Sequence, residues 1–351
     1  GTHFSPPTGD INDRPEVPVE GTVRYNRDLN TLEFYNGVDW RQFTVSGTSG
    51  RAVIAHGYRY PYYPDHYDLI NIQTTGNATY FGDFAYTGVR DKCGCGSQTR
   101  GLFGGGITAG SSRRTEIDMI TIQSEGNALD FGDLIGSTGA HNASCSSQTR
   151  GIWHGGYGAS PSPAPVNLMD YVEIQTLGNA LDFGDLFQGT GYNSSFSGPT
   201  RGFNSGGHLP PAATDYVQMF TIATKGNAID FGTLTAIRSR PQALANTIMG
   251  FTSGGAEGGD RSIDRTIIAS GGQAIVFGDS PSTRASGAGT NTQTRGIFAG
   301  GGIGAAPGTT SDEIEYFNLQ SGGTVADFGN LTEATDFVNG TSDSHGGLGG
   351  Y

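Results

Sequence analysis

One feature constrains this chain more than any other: it repeats itself about every fifty residues. Thr99-Arg100-Gly101-Leu102-Phe103-Gly104-Gly105 returns as Thr149-Arg150-Gly151-Ile152-Trp153-His154-Gly155-Gly156, then as Thr200-Arg201-Gly202-Phe203 and Thr294-Arg295-Gly296-Ile297-Phe298. Weaker copies start at Arg51 and Met249, and a last one closes the chain at Gly349-Gly350-Tyr351. A second signature keeps step. Gly126-Asn127-Ala128-Leu129-Asp130-Phe131-Gly132-Asp133-Leu134 matches 178–186 and 226–234, with looser versions at 76–84, 271–279 and 322–331. Its phenylalanines stand at 81, 131, 183, 231, 277 and 328, a period of 46 to 52 residues. Periods of this length belong to repeat architectures, in which each unit buries its apolar surface against its neighbours.

Composition says what the unit is made of. Glycine fills 59 of 351 positions, proline only 15, and no strict glycine triplet runs through the chain, which excludes collagen. Nineteen Phe and fifteen Tyr residues argue against disorder. Many short strands joined by tight turns are expected. In the third copy, alternation and punctuation predict strands at 142–148, 151–155, 170–175 and 180–186. Gly178-Asn179 turns the chain between the last two, because both residues tolerate positive φ. Small residues such as Ser144, Cys145, Ser146 and Ser147 suit an innermost strand, where space is short.

Charge narrows the partners. Thirty-three acids against twenty bases give −13, which disfavours nucleic acid and anionic membrane surfaces. No apolar run is long enough for membrane insertion as a helix. No Met opens the chain and no signal-like segment follows, so Gly1 is expected to follow Met removal, a processing cut or an expression boundary. Cys93, Cys95 and Cys145 are odd in number and give no disulfide framework or zinc pattern; they are read as small buried or channel-lining residues.

The unit order, an apolar strand ending in a double glycine and then a strand with an aromatic or acidic residue, resembles the kelch repeat over residues 44–351. Phe131 and Phe183 stand where that repeat carries a tryptophan. The resemblance implies an all-β, seven-bladed kelch-like β-propeller. In this reading 1–20 is an N-terminal arm and 21–351 the propeller. Residues 44–333 make six full repeats, and the last blade is closed by strands from both termini, the hairpin at 21–43 and the leftover strands at 334–351. Six blades with an appended N-terminal β domain is the alternative.

In such a ring the turns carrying Thr-Arg-Gly and Gly-Asn form one uniform face. The loops at 58–67, 107–116, 158–168 and 208–214 differ from copy to copy and form the other, where binding is expected. The first is the most unusual. Tyr58, Arg59, Tyr60, Tyr62, Tyr63 and His66 put aromatic faces beside charge, which suits a sugar or a protein surface. The plain alternative is a plug over the chain's own blade or a second copy. Arg51, Arg100, Arg150, Arg201 and Arg295 are read as braces to a neighbouring unit, an anion-binding ring being the alternative. Asp133 and Asp185 repeat and so belong to architecture rather than catalysis. The seven histidines show no paired metal spacing, and no nucleophile elbow or phosphate loop is present. No enzyme activity, metal or cofactor is expected.

The segment Gly21-Thr22-Val23-Arg24-Tyr25-Asn26, followed by Leu32-Glu33-Phe34-Tyr35-Asn36-Gly37-Val38-Asp39-Trp40, is similar to hairpins in virion proteins of tailed phages, notably marine cyanobacterial ones. The runs 99–106 and 126–134 also resemble glycine-rich repeats of large proteins of those phages. The resemblance implies a non-enzymatic component of the virion surface: a tail fibre or adhesin for host attachment, or a capsid decoration protein. Its partners would be other virion proteins, a host-surface glycan or protein, or further copies of itself. A secreted lectin-like module is the alternative, and a kelch-type oxidase or lyase the third.

Overall fold

The computed structural model describes residues 5–28, 31–42, 49–136, 143–158, 164–256, 261–303, 309–322 and 325–348. The closing copy at 349–351 lies outside them. The described chain is all-β, apart from two short 3-10 turns, and falls into two compact units, 1–48 and 49–351.

The smaller unit is one four-stranded sheet. Thr8–Gly9 pairs in parallel with Val23–Asn26, which turns into Thr31–Tyr35 and then Trp40–Gln42. Glu33 is buried at its centre and accepts hydrogen bonds from Arg14 and Asn26. The Arg14 guanidinium, more than any other neighbour, holds the Glu33 carboxyl below its usual range.

In the larger unit, the described strands build six sheets of four or more strands on one antiparallel plan, numbered here I to VI, and two small two-stranded ones, Val89–Arg90 with Ile107–Thr108 and Arg284–Ala285 with Gly302–Ile303. Sheet II runs Cys93–Gly96, Arg100–Gly104, Glu116–Thr121, Leu129–Asp133; sheet III runs Ala143–Ser146, Arg150–His154, Leu168–Glu173, Leu181–Asp185. Sheets IV, V and VI begin at Ser194–Ser197, Gln242–Ala245 and Ala288–Asn291 and repeat the order. Sheet I is discontinuous: Asn339–Ser342, from the chain's end, pairs with Arg51–Ala55, which continues into His66–Asn71 and Thr79–Asp83.

This corrects the expected closure. The strands Val23–Asn26, Thr31–Tyr35 and Trp40–Gln42 form a sheet with Thr8–Gly9, and the C-terminal strand Asn339–Ser342 pairs with Arg51–Ala55. The first repeat begins at its second strand, Arg51–Ala55, and that open edge takes the one strand that 334–351 supplies. Beyond it the chain leaves the sheet and ends its described part in the 3-10 turn Gly346–Leu348. Six sheets and a separate N-terminal unit result, rather than a seventh sheet shared between hairpin and C-terminus.

The apolar core is divided into six layers, each between two neighbouring sheets. Period-two alternation does this. In the second strand of sheet I, Val53 and Ala55 face sheet II with Phe81, Phe103 and Ile120, while Ala52 and Ile54 face sheet VI with Ile297, Ile314 and Phe328. The repeated phenylalanine fills each layer; Phe81, Phe131, Phe183, Phe231 and Phe328 are buried, each worth about 1.5–3 kcal/mol of burial. The inner strands touch in succession from sheet I through sheet VI and from VI back to I.

The Gly-Asn turn is the polar fastening of these layers. In sheet II, Gly126 and Ala128 donate their N–H groups to Phe81 and Asp83 of sheet I, and Asn127 Oδ1 accepts from Asp83 N–H. The same bonds recur between sheets II and III and between III and IV. They also join sheet I to sheet VI, through Gly76, Ala78 and Asn77 to Phe328 and Asn330. This close approach explains the glycine after each phenylalanine: at Gly132, φ is +145° and a Cβ would lie 2.5 Å from the carbonyl oxygen of Gly178.

Candidate functional site

The repeat arginines are committed to the fold. Arg100 donates to the Ile174 carbonyl, Arg150 to Ile222, Arg201 to Ile268 and Arg295 to Ile72, at 2.8 to 3.0 Å. Arg51 donates through Nε to Ile122 at 2.8 Å. In every case the carbonyl belongs to the next sheet, and Arg295 spans VI to I. Sheet V carries Met249 at this position. These five side chains are bridges, each committing at least one donor to a backbone carbonyl of the neighbouring sheet.

Five of the connections between sheets meet around one cavity. Asp91, Tyr192, Arg240, Ser286 and Phe337 each stand two residues before an inner strand, and all have φ between 52° and 63°. Non-glycine residues in this region carry a cost of order 1 kcal/mol. The sixth equivalent position is His141, outside the described residues. All five line a cavity of about 60 Å³ together with Asn193 and Asn339. Its polar and aromatic groups interlock: the Arg240 guanidinium carbon lies 4.3 Å from the Tyr192 ring centre and 5.3 Å from that of Phe337, and Arg90 lies 4.7 Å from Phe337. Tyr157 packs on Tyr192 and bonds His208 Nδ1. Asp336 is pushed up to about 6 by burial, with the Asp91 carboxylate adding to it against the Phe337 N–H.

The loop at 58–66 rises beside this cavity. Tyr58 exchanges both backbone hydrogen bonds with Asp336, at 2.7 and 2.8 Å, and packs on Tyr63. Arg59 pairs with Glu333 at 3.1 Å, and Tyr62 Oη donates to the same carboxylate. The loop is thereby tied to the long fourth strand of sheet VI, Ala326–Thr335. Tyr60 is left 80% exposed and Tyr62 45%. His66 points the other way, to Thr332 Oγ1 and toward His56 and Asp68. Among the described residues His56, His66 and Asp68 are one group whose ligand atoms lie close enough to share a metal ion.

One cavity between the inner strands, of about 50 Å³, is lined largely by small residues such as Gly94, Cys95, Ser144, Ser146 and Thr290, and a second, of about 70 Å³, lies between the same strands. The far end of the first is filled by 343–348: a Cβ on Gly347 would strike the Ser146 carbonyl, and His345 Nε2 sits 3.0 Å from the Gly96 oxygen. The three cysteines are buried, and burial pushes Cys145 up to about 12, so the thiols are inert there.

Of the residues singled out by sequence, Arg59, Tyr60 and Tyr62 are exposed, Tyr58 and Tyr63 are half-buried against each other, and half-buried His66 belongs instead to a cluster with His56 and Asp68. Sequence reading missed His56, Asp68, Glu333 and the ring of Asp91, Tyr192, Arg240 and Phe337. Aligning the units on their inner strands would have found the latter, since one position differs in every copy. No described helix is long and apolar enough to cross a membrane. A scan against protein-family models finds no match for this chain, and a comparison with curated proteins finds no significantly similar sequence.

Proposed function

We propose that the six sheets are blades of a single kelch-like propeller, and that the chain is a non-enzymatic binding component of a tailed-phage virion surface. The propeller reading is supported by the bonds between sheets VI and I, which are those found between the other sheets. It takes six blades and an appended N-terminal unit in place of seven.

The observation that carries the functional reading is the contrast between the two sides of the larger unit. One side spends its arginines and turns on inter-sheet bonds. The other gathers the loops that differ, with exposed Tyr60 and Tyr62 above the Arg240, Tyr192 and Phe337 cluster. Aromatic side chains presented on a rigid frame bind at low entropic cost. Copies repeated over a particle add avidity to a weak single site. The net charge of −13 fits a glycan or protein surface better than nucleic acid or lipid.

Quantitative mass spectrometry of purified particles tests this. The expected result is recovery at a fixed ratio to the major capsid or a tail protein. Recovery only as free protein overturns the virion reading, and specific binding of that free monomer on a glycan array establishes the lectin-like one.

A further inference from the structure

Every sheet buries one polar side chain at the same point of its third strand: Asp68, Asp118, Asp170, Gln218, Asp264 and Glu315. Each accepts a hydrogen bond from the far end of the preceding sheet's last strand or the segment just after it, such as Thr235 N–H to Asp264 at 2.7 Å or Thr332 N–H to Asp68 at 2.8 Å. Three of these carboxylates have a buried cation: Lys92 on Asp118 at 2.6 Å, Arg238 on Asp264 at 3.3 Å and Arg284 on Glu315 at 3.2 Å.

Around one carboxylate, sheet I differs from sheets V and VI in three places. Four residues before the inner strand, where those two have Arg238 and Arg284, stands Thr335, as Thr190 does in sheet IV. After the second strand, where every other sheet has a glycine such as Gly254 or Gly300, stands His56. Opening the third strand, in the register of Glu116 and Ser262, stands His66. A structural motif repeats; a site of this kind occurs once.

The geometry matches a metal centre. His56 Nε2 lies 2.9 Å from Asp68 Oδ2, His66 Nε2 lies 3.7 Å from Asp68 Oδ1, and all three ligand atoms fall within 4.8 Å of one another. Bonds of about 2.0–2.2 Å in a tetrahedral site put ligand atoms roughly 3.3–3.5 Å apart. His56 Nε2 is fully buried, and its one polar neighbour at close range is Asp68 Oδ2 at 2.9 Å, out of line for a well-formed hydrogen bond. Its other nitrogen is held 2.8 Å from Thr335 Oγ1, and Asp68 is oriented by Thr332 N–H and Oγ1. A second layer of this sort fixes ligands for metal. His66, 15% exposed, gives access from solvent.

We propose that His56, His66 and Asp68 bind a divalent transition ion of the zinc class, with a fourth position open to water, and that the ion anchors the base of the 58–66 loop. Two imidazoles and a carboxylate select such an ion over calcium or magnesium. The competing arrangement is His56 bound to Asp68 alone, in the place that Arg238 and Arg284 take in sheets V and VI, with no metal affinity.

The full-length chain, stripped with a chelator, is titrated with Zn²⁺ and separately with Co²⁺. The expected result is one ion per chain, a raised Tm, and visible Co²⁺ absorption of a low-coordinate N/O site. His66→Ala, at the exposed ligand, should leave the metal-free Tm close to that of the parent while weakening Zn²⁺ binding by at least ~100-fold. Absence of stoichiometric binding overturns the proposal, as does binding that His66→Ala leaves unchanged. Neither outcome bears on recovery of the chain with particles, so this proposal and the virion reading fail separately.

Discussion

Sheets V and I bury the same carboxylate at the same point of the same strand and treat it in opposite ways. In sheet V, Arg238 reaches Asp264, Ser262 and the Gly254 carbonyl at once, and the group is spent on the fold. In sheet I the arginine is replaced by Thr335 and the residue after it by Asp336, where sheets V and VI carry Ser239 and Ala285. The space goes to two histidines, and a second acid is buried beside a surface loop. A repeat protein shows here where it has been altered: five copies define what the fold requires, and the sixth shows what has been added.

The largest effect should come from breaking the sheet V arrangement. Arg238→Ala leaves Asp264 buried without its cation and should cost about 3–5 kcal/mol, read from denaturant unfolding of the isolated chain. A cost below about 1 kcal/mol would mean that the pair is not what holds sheets IV and V together.

Asp336 gives the next. Its carboxyl is raised to about 6 in the fold against 3.8 for the ordinary side chain. Between these values the folded chain keeps a proton that the unfolded chain releases, so stability is lost as pH rises through about 4 to 6 and stays lost above. Asp336→Asn removes that loss while keeping an acceptor for the Phe337 N–H. It should gain about 3 kcal/mol at pH 8 and nothing at pH 3.5. Paired unfolding curves at the two pH values check this; equal effects at both would sink it.

Converting sheet I to the sheet V form sharpens the comparison. His56→Gly combined with Thr335→Arg should be less destabilising than the two single changes summed, by about 1–3 kcal/mol of coupling. A double-mutant cycle measures it, and additivity would show that the two positions do not share one carboxylate.

Tyr60→Ala should be nearly silent in stability, within about 0.5 kcal/mol, yet reduce attachment to the particle or ligand at least tenfold, about 1.4 kcal/mol. Surface plasmon resonance with the parent chain as reference separates the two readouts.

Much of this was legible in the residues. The strands expected at 142–148, 151–155, 170–175 and 180–186 form at Ala143–Ser146, Arg150–His154, Leu168–Glu173 and Leu181–Asp185, because alternation and Gly-Asn turns are local signals. The sheet count was not, since Arg51–Ala55 looks like a complete unit until its missing partner arrives from Asn339–Ser342, almost three hundred residues away. The glycine of each Phe-Gly pair falls inside an expected strand; only the neighbouring sheet's carbonyl shows why a side chain cannot stand there. The site was half visible. Tyr58 to Tyr63 stand out by composition, whereas His56 and Asp68 carry no spacing signal and meet only through the pairing of two strands.

The most direct measurement is electron cryomicroscopy of the particle or filament that carries this chain, at a resolution that separates strands. We expect a closed ring of six sheets, with Arg295 bonded to the Ile72 carbonyl at the junction of the first and last. The 58–66 loop and the Tyr192, Arg240 and Phe337 cluster should face a neighbour or ligand. An open arc of sheets, or a ring whose arginine and Gly-Asn side makes the contact while Tyr60 faces solvent, would contradict the account.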